Sequence, residues 1–225
     1  MLRKENIMPN SKNKLKELIK EWVRLDYINP EDVPSIELYM DQVTTFMDKE
    51  LANTKRYETD KTLTKTMINN YTKNNLLPPP VKKKYSKEHI YLLIYIYYFK
   101  NSLTISDIQQ ILSPMIEHFC TEDSTMDMGD IYQRIFDAEH TYFKTILENI
   151  DATHNLSKSL FKDNTGEEQD YLNHFAFLSL LGYDIYLKKK LMEKLIDSFS
   201  DTFPKSEPKE KPAKENKKAN KKTEE

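Results

Sequence analysis

The sequence predicts an all-α fold. Apolar residues recur at helical spacing through most of the chain, and only three glycines occur, Gly129, Gly166 and Gly182. Tight hairpin turns rely on glycine to reach positive φ, so strands joined by such turns are not expected. The same scarcity excludes the glycine-rich phosphate loops of nucleotide-binding folds. One cysteine, Cys120, excludes a disulfide framework within the chain and a cysteine-rich zinc site.

The elements follow in order. Leu15, Leu18, Ile19, Trp22 and Leu25 fall on one face and predict a helix over 12–26, stopped by Pro30 and Pro34. A second helix is expected over 35–51, with Val43, Met47 and Leu51 on its stripe. Residues 53–61 read as a polar connection. A third helix is expected over 62–75, capped by Thr62 and ended by Asn75, because asparagine tolerates the left-handed conformation that follows a helix. Pro78, Pro79 and Pro80 then hold the chain extended. Ser86 caps a helix to Phe99 that is apolar nearly all round, so it should be buried on several sides. A short helix, TISDIQQIL, starts at Thr104. Two long helices are expected over 125–150 and 167–200, with a loop, or a segment carrying only a short helix, between them at 151–166. The stretch from Pro204 onward is rich in Lys, Glu and Pro, lacks apolar periodicity and should stay disordered.

Charge is distributed unevenly. Residues 61–100 carry eight lysines and one acid, a net +7, whereas 121–203 carry eight bases and sixteen acids, a net −8. That asymmetry points to a polyanion-binding surface on one part of the chain. Wound as a helix, residues 62–75 place Leu63, Met67, Ile68 and Tyr71 on one face. The opposite face holds Thr62, Lys65, Thr66, Asn69, Thr72 and Lys73 and contains no acid. A short amide can pair with a base edge, hydroxyls can bond bases or phosphate, and lysines hold phosphate, which is what a helix in a DNA major groove requires.

The words in this region, MINNYTKNNLLPPP at 67–80, YSKEHI at 85–90 and LTISDIQQIL at 103–112, resemble the winged helix-turn-helix domain of MerR-type regulators. In that family a recognition helix ends in an L-L-x-P word, and a wing leads to Y-S and the next helix. Tyr71 matches a family tyrosine, Asn75 stands at the helix-ending glycine, and Leu76, Leu77 and Pro78 match the L-L-x-P word. Asn69 and Asn70 replace the family's arginine and first tyrosine. More narrowly, IELYMDQVTTFM with LTKTMINNY and LLPPPVKKKYSKEHI resembles the YkrK-like bacterial proteins of unknown function. The resemblance implies a bacterial, DNA-binding transcription regulator with a winged helix-turn-helix-like domain over 35–115. It also implies a wing in which Lys82, Lys83, Lys84 and Tyr85 meet the backbone of double-stranded DNA.

The remaining regions frame that domain: an N-terminal helix and linker over 1–34, a helical dimerisation or effector region over 116–203, and the tail over 204–225. The middle of the last helix, Tyr171 to Leu187, is apolar on almost every side and calls for a second copy of the chain. Its aromatic residues could also line a pocket for a small organic effector. A competing reading makes the protein an adaptor whose 171–187 helix docks a partner protein, with the lysines only a solvated face. Neither the five histidines nor the Glu117, His118, Cys120 cluster has the spacing of a metal site. No nucleophile–base pattern is visible either, so no enzyme and no cofactor are expected. The first residues, MLRKENIMPNSKNK, carry no apolar signal core, and YLLIYIYYF is too short to span a bilayer. A cytoplasmic protein without membrane contact is the expectation.

Overall fold

A computed structural model describes residues 28–202 apart from 122, 123 and 125, together with 15 and 17–19. The helix expected over 12–26 lies outside the described residues save for those last four, which are helical, and so does the tail from 204. The described chain is mostly helical, with one small two-stranded sheet: β1 (Leu38–Tyr39), α1 (Met40–Glu50), a short 3-10 turn (Ala52–Thr54), α2 (Lys65–Lys73), β2 (Lys84–Tyr85), α3 (Lys87–Phe99), α4 (Ile105–Phe119), α5 (Met128–Ser159) and α6 (Gly166–Thr202). Among these, no helix is long and apolar enough to cross a membrane.

The core is built around α3. Ile90, Tyr91, Leu92, Leu93, Ile94 and Ile96 are all nearly or wholly buried, so successive side chains around the helix find neighbours, as an all-round apolar sequence requires. They pack in one cluster with Val43, Met47 and Leu51 from α1 and its end, Ile68 and Tyr71 from α2, Ile108 and Leu112 from α4, Met128 and Tyr132 from α5, and Ile196 from α6. Tyr132 packs against Tyr91, ring centroids 4.7 Å apart and planes tilted by 34°, and donates its hydroxyl to the carbonyl of Ile28 at 2.6 Å.

Several boundaries differ from the sequence expectation. Helix α1 starts at Met40, five residues after Ser35, because 38–39 are extended and pair antiparallel with 84–85, Leu38 opposite Tyr85 and Tyr39 opposite Lys84. The Gln42 side chain then accepts the Tyr39 N–H at 2.8 Å. Helix α2 is capped by Thr64, whose hydroxyl accepts the Met67 N–H, and not by Thr62. Thr62 is buried; its hydroxyl donates to Asp48 at 3.1 Å and its carbonyl accepts the Lys100 ammonium at 2.8 Å. Both threonines are competent caps, and these two tertiary bonds decide between them.

Helix α4 runs past Pro114 to Phe119 instead of stopping near Leu112. Proline removes one backbone bond, but Met115, Ile116 and Phe119 beyond it pack on the core. Helix α5 likewise continues to Ser159, through residues expected to form a loop, because His154 and Ser157 are buried among α5 and α6 side chains that include Phe177.

Candidate nucleic-acid interface

Helix α2 presents the two faces that its sequence predicts. Ile68 and Tyr71 are buried, whereas Lys65, Thr66, Asn69, Asn70 and Lys73 are exposed. No acid stands in the helix, so the outward face joins two lysines, a hydroxyl and two amides. Its end is a left-handed cap: Asn75 has φ 56°, its N–H reaches the Thr72 carbonyl at 3.2 Å, and the Leu76 N–H reaches the Tyr71 carbonyl at 2.9 Å. That reciprocal pair is the Schellman arrangement, with asparagine at glycine's usual place. It turns the chain so that Leu76 and Leu77 enter the core and the prolines leave toward β2.

The residues expected to form a wing make a tight turn. Val81 and Lys84 exchange both backbone hydrogen bonds, at 3.1 and 2.9 Å, and the two residues between them, Lys82 and Lys83, have φ of 49° and 66°. Positive φ at both central positions is the pattern of a type I′ turn, which suits the twist of paired strands. A hairpin turn therefore exists here without glycine, against the sequence expectation. Left-handed backbone costs a lysine about 1 kcal/mol or more at each position. In return, two neighbouring ammonium groups stand at the tip of a rigid turn.

The segment from Glu37 to Asp41 joins helix and turn. Asp41, in the first turn of α1, pairs with Lys65 in the first turn of α2. Glu37 lies 3.5 Å from Lys84, whose ammonium also sits 5.8 Å from the Tyr39 ring centroid. The base of the turn and the start of α2 thus flank the same five residues. Lys65 and Lys84 have acid partners; Lys73, Lys82 and Lys83 form no ion pair among the described residues.

The residues singled out from sequence separate into two groups. Lys65, Thr66, Asn69, Asn70, Lys73, Lys82 and Lys83 are exposed, and Lys84 is half-buried. Thr62, Tyr71 and Tyr85 are buried and hold the frame in place. Burial also keeps the Tyr71 and Tyr85 phenols above their ordinary pKa and so neutral. Thr72 is half-buried, with its hydroxyl donated to the Ile68 carbonyl at 3.2 Å.

Three residues were not singled out: Ile36, Tyr39 and Val81, each more than half exposed and apolar beside these lysines. In an extended strand, alternation turns Leu38 inward and Tyr39 outward.

Under the turn, His89 receives the Ser86 N–H on Nδ1 at 3.1 Å and meets the Tyr85 ring edge-on at 5.4 Å. Burial lowers its pKa, opposed by the carbonyls of Pro79 and Pro78 and by Glu88 and Glu37. At the end of α4, burial pushes the Cys120 thiol up to about 11, so it is protonated at neutral pH and a poor nucleophile or metal ligand. Among the described residues no group of three or more His, Cys, Asp or Glu side chains could hold a metal ion. An open cleft of about 460 Å³ lies between α1 and the start of α2, lined by Thr44, Thr45, Lys61 and Thr64 among others. Tyr171, Phe175, Tyr183 and Tyr186, weighed as lining for a core, a dimer interface or an effector pocket, stand exposed on α6.

Residues 28–135 match a family model described as a domain of unknown function, DUF1836. No curated protein and no solved structure matches the chain. The DUF1836 stretch contains β1 through α4 and the first turns of α5. Its two ends meet physically, since the Tyr132–Ile28 hydrogen bond closes one on the other. The candidate interface lies wholly inside DUF1836; the rest of α5 and all of α6 lie beyond it.

Proposed function

We propose that the protein is a bacterial transcription regulator, acting in the cytoplasm as a homodimer that binds double-stranded DNA. Residues 35–115 serve as a MerR-like winged helix-turn-helix. Helix α2 enters the major groove, and the Val81–Lys84 turn is the wing on the phosphate backbone. The observation that supports this best is the acid-free outer face of α2 beside two adjacent lysines that form no ion pair among the described residues, on a strained turn. The reading involves binding alone, with no reaction and no cofactor. Asn69 and Asn70 read base edges; Lys73, Lys82 and Lys83 hold phosphates. Lys65 and Lys84 do so by exchanging Asp41 and Glu37 for phosphate. Two subunits place two such helices on a near-palindromic site.

The turn offers a test that separates binding from folding. Replacing Lys82 by Asn and Lys83 by Gly relieves the left-handed lysines and should raise unfolding stability by about 1–2 kcal/mol. The same variant should bind genomic DNA fragments more weakly across sequences. The slope of log affinity against log salt should fall by about 2, one phosphate per lysine. Asn69→Ala should instead relax sequence choice at one base pair, at a cost of about 1–3 kcal/mol there. Genomic fragments that show no shift with the parent chain at low salt would sink the reading. The competing reading, an adaptor whose α6 docks a different protein, draws on the exposure of that helix. It predicts a monomer that only a partner protein stabilises.

A further inference from the structure

Every residue of α6 from Gly182 to Leu191 is exposed. This stretch includes Tyr183, Ile185, Tyr186, Leu187 and Leu191, which point in different directions around the helix. Tyr171, Phe175 and Leu178 before it, and Ile135 and Tyr142 on α5, are exposed too. Summed around the two helices, the apolar area they leave in water is on the order of 1,000 Å² per chain, of the same order as the ~800 Å² each partner gives to a stable pair.

We propose that a second copy of this chain packs on α6, with the two α6 helices antiparallel and crossing at Gly182. The inference gives a location to the dimer in the functional reading and does not depend on DNA binding. Three features choose the partner and the crossing point.

The first is spacing. Tyr171, Phe175, Leu178, Gly182 and Ile185 follow one another by four, three, four and three residues, one stripe of a paired helix. Reversing a copy about Gly182 sets Leu178 opposite Tyr186 and Phe175 opposite Lys189, whose stem and ammonium both suit an aromatic ring.

The second is Gly182 itself. Glycine inside a helix costs about 1 kcal/mol relative to alanine. Among the described residues, a Cβ at this position would meet nothing within 4 Å. None of them calls for its smallness, whereas a crossing helix backbone does.

The third is charge. Between 166 and 181 the helix carries Glu167, Glu168 and Asp170 and no lysine or arginine, while 188–194 holds Lys188, Lys189, Lys190 and Lys194 against one acid, Glu193, and Asp184, Asp197 and Asp201 flank that stretch. Lys188, Lys189 and Lys190 pair with Asp184 and Glu193 within the helix. Antiparallel copies bring Asp170 beside Lys194, with Glu167 beside Asp197 at the outer ends. Parallel copies would set like charges together.

Cysteine cross-linking of the full chain, in a Cys120→Ser background, tests the arrangement. Light scattering should give a dimer. Mixed Leu178→Cys and Tyr186→Cys chains should form an interchain disulfide on oxidation, whereas each alone should not. Gly182→Leu should weaken dimerisation at least tenfold and leave helicity unchanged, because the added side chain meets open space within the subunit. A monomeric parent chain, self-linking of the Leu178→Cys variant, or a dimer in which the mixture does not link would each overturn the proposal. A cross-linked dimer that ignores DNA removes only the DNA reading; a monomer that shifts DNA removes only this one.

Discussion

Helices α3 and α6 carry the same sequence signature and meet opposite fates. Each holds a run that is apolar almost all round, YLLIYIYYF in α3 and FAFLSLLGYDIYL in α6. In α3, Leu92, Leu93 and Ile96 are at most 1% exposed, whereas in α6 Leu178 is 67% exposed. The difference lies in the neighbours. Helix α3 is enclosed by side chains from β2, α1, α2, α4 and α5, all within or touching the residue 28–135 stretch. Over its centre, Gly182 to Leu191, every residue of α6 is exposed, and one helix can cover only one stripe of another. All-round hydrophobicity therefore marks a helix that must be enclosed; it does not say whether its own chain encloses it.

Truncation at matched positions should break that symmetry most strongly. Leu92→Ala leaves a cavity in α3 and should cost about 2–5 kcal/mol of unfolding free energy. Leu187→Ala on α6 should change it by less than about 0.5 kcal/mol at concentrations low enough to keep chains apart. Denaturant titrations of both variants at two protein concentrations read this directly. A large loss from Leu187→Ala in the dilute sample would mean that α6 is packed within the subunit.

A smaller effect sharpens the picture where α2 leaves the core for the wing. Asn75 at φ 56° should tolerate glycine, with a gain of up to about 1 kcal/mol, and should lose about as much on change to alanine. Neither change touches the outer face of α2, so DNA affinity should follow the fraction folded. An affinity that moves while stability does not would place Asn75 at the interface itself.

The smallest signal is a slope with pH. Burial depresses His89 in the folded chain, so as pH falls the unfolded chain takes up the proton first. Stability should be level above the ordinary histidine range near 6.5 and fall below it, toward the folded pKa. Protonation also places a hydrogen on Nδ1, where the Ser86 N–H now donates, and so loosens the start of α3 under the wing. His89→Gln should flatten this part of the pH profile. An unchanged slope would assign it to the carboxylates.

Much of the candidate interface was legible in one dimension. The two faces of α2 follow from the positions of Ile68, Tyr71 and Asn69 at 3.6 residues per turn, and Asn75 is a recognisable helix stop because few other residues accept left-handed backbone. The turn at Val81–Lys84 was not legible. Lysine has no preference for positive φ, and only the pairing of Val81 with Lys84 and of Tyr85 with Leu38 holds Lys82 and Lys83 there. Thr64 won the cap from Thr62 for a similar reason: Asp48 and Lys100, distant in sequence, took Thr62 away.

The amino-acid sequence by itself determined the helical class, the acid-free face of α2, the lysine cluster and the apolar runs, because each depends on periodicity or composition within a few turns. Tertiary structure alone decided where helices begin and end, how a lysine turn is held in a strained conformation, and which of two helices with an apolar run is buried. Those outcomes depend on partners far along the chain, and for α6 the proposed partner is another chain altogether.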